Sequence, residues 1–80
     1  MLTLSEFNRL DVHDQEEAIW SGTFLGDREE NGLIVRLYGL NTFYGEVFYD
    51  THTNRVLRVR AFEDTNRLLP YLAHVKFSLQ

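Results

Sequence analysis

The residue that most invites a chemical reading is Glu46, a lone carboxylate inside the apolar run Tyr44-Gly45-Glu46-Val47-Phe48-Tyr49. A carboxyl group held in mid-strand is raw material for a general acid or base. Arginines recur in the neighbouring runs, at Arg36, Arg58 and Arg60. A guanidinium beside a carboxylate makes it a partner in an ion pair rather than a proton donor, so Glu46 is expected to pair charge and not to catalyse.

Other chemistries find less to work with. The chain has no cysteine, which removes thiolate catalysis, thiolate metal sites and disulfides. Ser5, Ser21 and Ser78 sit in no nucleophile-elbow motif. His13 stands at helical spacing from Glu16 and Glu17, yet no second histidine follows one turn on, so a solvated helix start explains it better than a metal. His52 falls in a turn and His74 near a helix end, where a cation is helpful. Gly22, Gly26 and Gly32 are too scattered for a phosphate loop. No catalytic residue, cofactor or metal is therefore expected.

These side chains need a scaffold, and the stretch from Leu33 to Phe62 supplies it. LIVRLYGL, FYGEVFYD and RVLRVRAF are three strand-like runs separated by short polar turns. A fourth run, TFLGDREE, precedes them across Asn31-Gly32, a pair that accepts positive φ and marks a tight hairpin. A two-residue loop there sets Glu30 opposite Leu33, Arg28 opposite Val35, Asp27 opposite Arg36 and Leu25 opposite Tyr38. A three-residue loop at Leu40-Asn41-Thr42 would set Val35 opposite Val47, Arg36 opposite Glu46 and Tyr38 opposite Tyr44. Across the last turn, Glu46 would face Arg58 or Arg60, and Val47 would face Leu57 or Val59.

Helices are expected on either side of this meander. Thr3 and Glu6 form a capping box ahead of Leu4, Phe7 and Leu10, and Asp11 caps a second helix over DVHDQEEAIWS. Val12, Ile19 and Trp20 would form its buried stripe, and Gly22 would end it in the left-handed conformation. Asp64 or Thr65 can cap a short helix running through Leu72, with Pro70 in or near its first turn. Val75-Lys76-Phe77-Ser78-Leu79 alternates in a way that suits a short fifth strand. The expected fold is thus one α+β domain over residues 1–80: N-terminal helices on a four-stranded antiparallel meander, then a short C-terminal helix.

The register assigns two faces. Val35, Leu37, Phe43, Val47, Tyr49, Leu57, Val59 and Ala61 would form the core face beneath the helices, with Ile19 and Trp20 packed on it. The even-numbered face would carry a row of alternating charge (Asp27, Arg36, Glu46 and Arg58 or Arg60) among Tyr38, Tyr44 and Phe48. So many apolar groups around a charged stripe exceed what a monomer normally exposes, which points to a contact surface. The competing account has the C-terminal helix folded over it.

Charge narrows the partners. Net charge is −4, with eight acids against two bases in residues 1–32 and four acids against six bases in residues 33–80. A duplex binder would be basic, so nucleic acid is not favoured. The strand Thr42–Tyr49 matches the RNA-recognition signature only at Tyr44, Gly45, Val47 and Tyr49, lacks its basic-Gly pair, and carries Glu46 where a base would stack. No apolar run approaches membrane-spanning length, and no secretory signal is visible, so a cytoplasmic location is expected. The function expected from sequence is a non-enzymatic protein–protein interaction domain, homodimeric through the even-numbered face, with Arg36, Tyr38, Tyr44, Glu46, Phe48, Arg58 and Arg60 as its contact residues. The alternatives are a ligand-binding domain or small enzyme with a pocket near Glu46, Tyr38 and Tyr44, or an acidic decoy whose segment 11–30 docks on a nucleic-acid-binding protein.

Overall fold

The computed structural model describes residues 2–72, so His74 and the strand expected over 75–79 lie outside the described residues. Two helices come first, α1 (Leu4–Arg9) and α2 (Val12–Trp20). Four strands follow, β1 (Thr23–Glu30), β2 (Leu33–Gly39), β3 (Tyr44–Asp50) and β4 (Arg55–Phe62). A 3-10 turn (Thr65–Leu68) then leads into a short helix, α3 (Leu69–Leu72). The strands pair antiparallel in the order β1-β2-β3-β4, so the chain is an α+β meander.

The helix starts follow the sequence signals. The Thr3 hydroxyl accepts the Glu6 N–H while the Glu6 carboxylate accepts the Thr3 N–H, a complete capping box. Asp11 caps α2 by accepting the Asp14 N–H, and Asp64 caps the 3-10 turn by accepting that of Asn66. Gln15 ties the two N-terminal helices together by donating to the Phe7 carbonyl. Asn31 and Gly32 both take positive φ, 51° and 82°, and close the first hairpin as a two-residue turn.

Between β2 and β3 the register differs from expectation by one residue. Arg36 stands opposite Val47, Leu37 opposite Glu46 and Val35 opposite Phe48. The connection has four residues, Leu40 to Phe43, closed by the Leu40 N–H donating to the Phe43 carbonyl at 2.8 Å. Phe43, expected as a strand residue, leaves the ladder and drops into the core, its ring 5.5 Å from that of Phe7. Its burial outweighs one more rung of ladder, since sinking a large side chain is worth about 1.5–3 kcal/mol.

That slip redistributes the faces. Val47, Val59, Ala61, Tyr49 and Val56 share one side with Arg36 and Tyr38. There Phe7, Ile19, Phe43 and Val47 form the core under α1 and α2. Val35 and Leu37 move to the opposite side with Tyr44, Glu46, Phe48, Arg58, Arg60 and Phe62. The 3-10 turn and α3 form a strap on that side, where Tyr71 and Leu68 pack on Leu37, Phe62 and Tyr44. The expected row from Arg36 to Glu46 therefore does not form. Glu46 does face Arg60, and Val47 does face Val59.

Both edge strands carry a bulge. In β1 it falls at Leu25, so Phe24 rather than Leu25 stands opposite Tyr38; in β4 it falls at Leu57, which is exposed and not in the core. The stripe expected on α2 is also narrower than predicted. Ile19 is fully buried, whereas Val12 and Trp20 are more than half exposed. Trp20 is the residue after Ile19, and about 100° of helical rotation carries it off the core. Gly22 does not adopt a left-handed conformation; it is small because a Cβ there would lie 2.6 Å from the Gly39 carbonyl oxygen.

Gly45 has a similar cause, since a Cβ at that position would come within 2.7 Å of Ile19 Cγ1. Ile19 is fully buried and has no room to retreat. Gly45→Ala should lower the urea midpoint by an amount equivalent to about 1–3 kcal/mol, the usual cost of overpacking a core. An unchanged midpoint would show that α2 is not seated on β3 as described.

Candidate functional site

Two places gather polar and aromatic side chains, one on each side of the sheet. On the strap side the centre is Glu46, with no exposed surface. Its Oε1 accepts from Arg60 Nε at 2.9 Å and Nη2 at 2.7 Å. Its Oε2 accepts from the Tyr71 hydroxyl at 2.5 Å and from Arg28 Nη2 at 3.3 Å. Four donors thus fill the acceptor positions of one carboxylate. Arg28, with a side chain only 8 % exposed, also donates to Glu30 at 2.7 Å, and that bond holds the Glu30 carboxyl below the usual range. The Arg58 guanidinium stacks 4.1 Å from the Phe48 ring centroid, with those of Arg60 and Arg28 at 5.4 and 5.9 Å.

The Glu46 carboxylate is saturated, whereas the buried Arg28 Nε has no hydrogen-bond partner among the described residues. Glu46 offers no free lone pair to a substrate, and its donors come from β1, β4 and α3 together. Burial pushes the Tyr71 hydroxyl above the usual tyrosine range, and the bond to Glu46 adds to the effect. The arrangement holds strap, sheet edge and sheet centre in register.

The helix side is open. A groove of about 440 Å³ runs between α2 and the sheet, lined by Glu16, Trp20, Arg36, Tyr38, Val47, Tyr49, Asn54 and Val56. Val47 and Val56 are paired with Arg36 and Tyr49 on that face; half-buried Val56 supplies aliphatic surface, and Val47 is buried at the base. Trp20 stands at the end of α2 with half its surface exposed. Tyr38 packs edge-on against Phe24, also half exposed, with ring centroids 5.5 Å apart. The Arg36 guanidinium lies 6.0 Å from the Tyr49 ring centroid, and the Tyr49 hydroxyl bonds the Asn54 side chain. Among the described residues neither Arg36 nor Glu16 makes an ion pair. The groove thus presents one cation, one anion and three aromatic rings in one lining.

The seven residues expected on one face are divided between these places. Arg36 and Tyr38 line the groove; Tyr44, Glu46, Phe48, Arg58 and Arg60 lie on the strap side, where Glu46 and Phe48 are buried. Among the described residues Glu46, Tyr38 and Tyr44 do not line one pocket, because Tyr38 and Tyr44 stand on opposite faces. Sequence reasoning missed Arg28 and Tyr71 as partners of Glu46, and Glu16, Trp20 and Tyr49 as groove residues. Arg28 was legible, since the Asn31-Gly32 turn already fixed it opposite Val35. Tyr71 had no signal beyond being an aromatic in a short capped helix. Among the described residues no three metal-ligating side chains gather, and no helix is long and apolar enough to cross a membrane.

Fold and site together define a small α+β domain: a meander with two helices on one side, a strap on the other, and a groove on the helix side that the described residues leave unfilled. No protein-family model, no curated protein and no solved structure matches the chain.

Two predictions come from the strap. Glu46→Gln leaves two guanidinium groups against a neutral side chain and should cost about 3–5 kcal/mol of unfolding free energy, as breaking a buried pair does. Tyr71→Phe removes one bond to a carboxylate and should cost about 1.5–3 kcal/mol. Denaturant titration measures both, and a larger loss for Tyr71→Phe than for Glu46→Gln would contradict the central place given to the carboxylate. The Tyr71 shift also sets a pH dependence. Its folded-state pKa is raised, so its contribution is complete below the unfolded value near about 10 and is lost as pH rises through the higher folded value. Stability should fall above about pH 10, and Tyr71→Phe should flatten that fall. Equal slopes in the two proteins would place the effect elsewhere.

Proposed function

We propose that this chain is a small non-enzymatic protein–protein interaction domain whose contact surface is the groove on the helix side of the sheet. The observation that carries the reading is the company kept by Arg36: an exposed guanidinium without an ion-pair partner among the described residues, set beside Trp20, Tyr38 and Tyr49. Trp, Tyr and Arg are the residue types that dominate binding energy at protein contacts. Their rings can be covered with little loss of side-chain freedom, and aliphatic Val47 and Val56 lie beside them. The saturated Glu46 carboxylate supports a structural use of the strongest candidate acid, which favours recognition over reaction as the work of the open side.

A photoreactive phenylalanine at Tyr49 in the native host should capture a protein partner, and Arg36→Glu should abolish that capture. The same group at Leu69, exposed on the strap, should capture nothing that depends on Arg36. Capture from position 49 that ignores Arg36→Glu, or equal capture from both positions, would refute the groove as contact surface.

A further inference from the structure

We propose that the partner seated in this groove is a second copy of this chain, in a two-fold dimer. In it Trp20 of each copy enters the groove of the other, and Arg36 of each meets Glu16 of the other. The inference rests on the groove being a contact surface and adds the identity of its occupant.

Self-complementarity is the argument. A two-fold contact sets residue i against residue j and residue j against residue i, so one patch must carry both halves of each interaction. This groove does so twice. It holds an acid and a base that have no ion-pair partner among the described residues, Glu16 on α2 and Arg36 on β2. It also holds a projecting indole, 53 % exposed, at the wall of a space of about 440 Å³ that the described residues leave unfilled. An acidic partner would satisfy Arg36 and face Glu16 with like charge, and a basic partner would do the reverse. A second copy brings the matching charge for each, and a knob for each hole.

The rest of the molecule directs association to the same place. Both edge strands are interrupted by bulges, at Leu25 and Leu57, which disfavours pairing edge to edge. The opposite sheet face is occupied at Leu37, Tyr44 and Phe62 by the strap. A chain of 80 residues buries only about 60 % of its unfolded surface, and covering Trp20, Phe24 and Tyr38 would add to that. Of the about 150–250 Å² that full burial of an aromatic side chain covers, roughly half remains exposed at Trp20 and Phe24 and less at Tyr38.

Sedimentation of the full chain from about 1 µM to about 1 mM reads the association directly. The wild type should pass from monomer to dimer, with emission of its single tryptophan moving to shorter wavelength along the same curve. Arg36→Glu and Glu16→Arg should each weaken the dimer by about tenfold or more, because each change sets like charges together twice per dimer. The double exchange should restore affinity to within about threefold of wild type, a coupling that two independent losses would not give. Trp20→Lys should abolish the dimer, while circular dichroism confirms that each variant is folded. A monomer throughout the range, or a double exchange no better than its singles, overturns the proposal. If the chain is monomeric while Tyr49 still captures another protein in an Arg36-dependent way, the groove reading stands and only the second copy falls. If the Arg36 dependence is lost too, both fall.

Discussion

One carboxylate holds this fold to a single arrangement. Glu46 is fully buried, and a buried charge left without partners costs several kcal/mol. It is tolerated because Arg28, Arg60 and Tyr71 reach it from three separate elements. An ion group of this kind adds little to stability over a well-packed apolar replacement, whereas loss of one partner is costly. Slipping β3 by one residue would swing Glu46 to the helix side of the sheet, away from Arg28, Arg60 and Tyr71 together. Register in the centre of the meander and attachment of the strap are therefore enforced by the same group.

From that constraint follows the difference between the two sides. On the strap side charge and aromatic surface neutralise one another: Phe48 lies among three guanidinium groups, and Glu30 and Glu46 answer Arg28. On the helix side, among the described residues, two short helices cover four strands. The core there is concentrated on Phe7, Ile19, Phe43 and Val47, and the sheet beyond α2 is left open. Arg36, Tyr38 and Tyr49 occupy that open part because β2 and β3 pair in the observed register, which turns them toward the helices and not toward the strap.

Much of the fold was readable in the residues. Thr3 with Glu6, Asp11, Asn31-Gly32 and Asp64 each mark an element boundary by local chemistry alone, and each boundary stands where its signal put it. What local chemistry could not decide was the length of the connection after Gly39. Phe43 fits a strand by type, and only its partner Phe7, far away in sequence, draws it out of the ladder. That single residue moved every side chain of β2 relative to β3, dividing the expected contact face between two sides. Trp20 and Leu57 were misplaced for the opposite reason: large apolar groups suggest burial, but a helix end and a bulge turned them outward.

The two bulges bear on how this protein survives at high concentration. A sheet with both borders uncovered is a template on which further chains can stack without limit, building fibres. At Leu25 and Leu57 the spacing of main-chain donors and acceptors is broken partway along each border, so an incoming strand that matches one half cannot match the other. Accretion is thereby disfavoured at either margin of the described sheet.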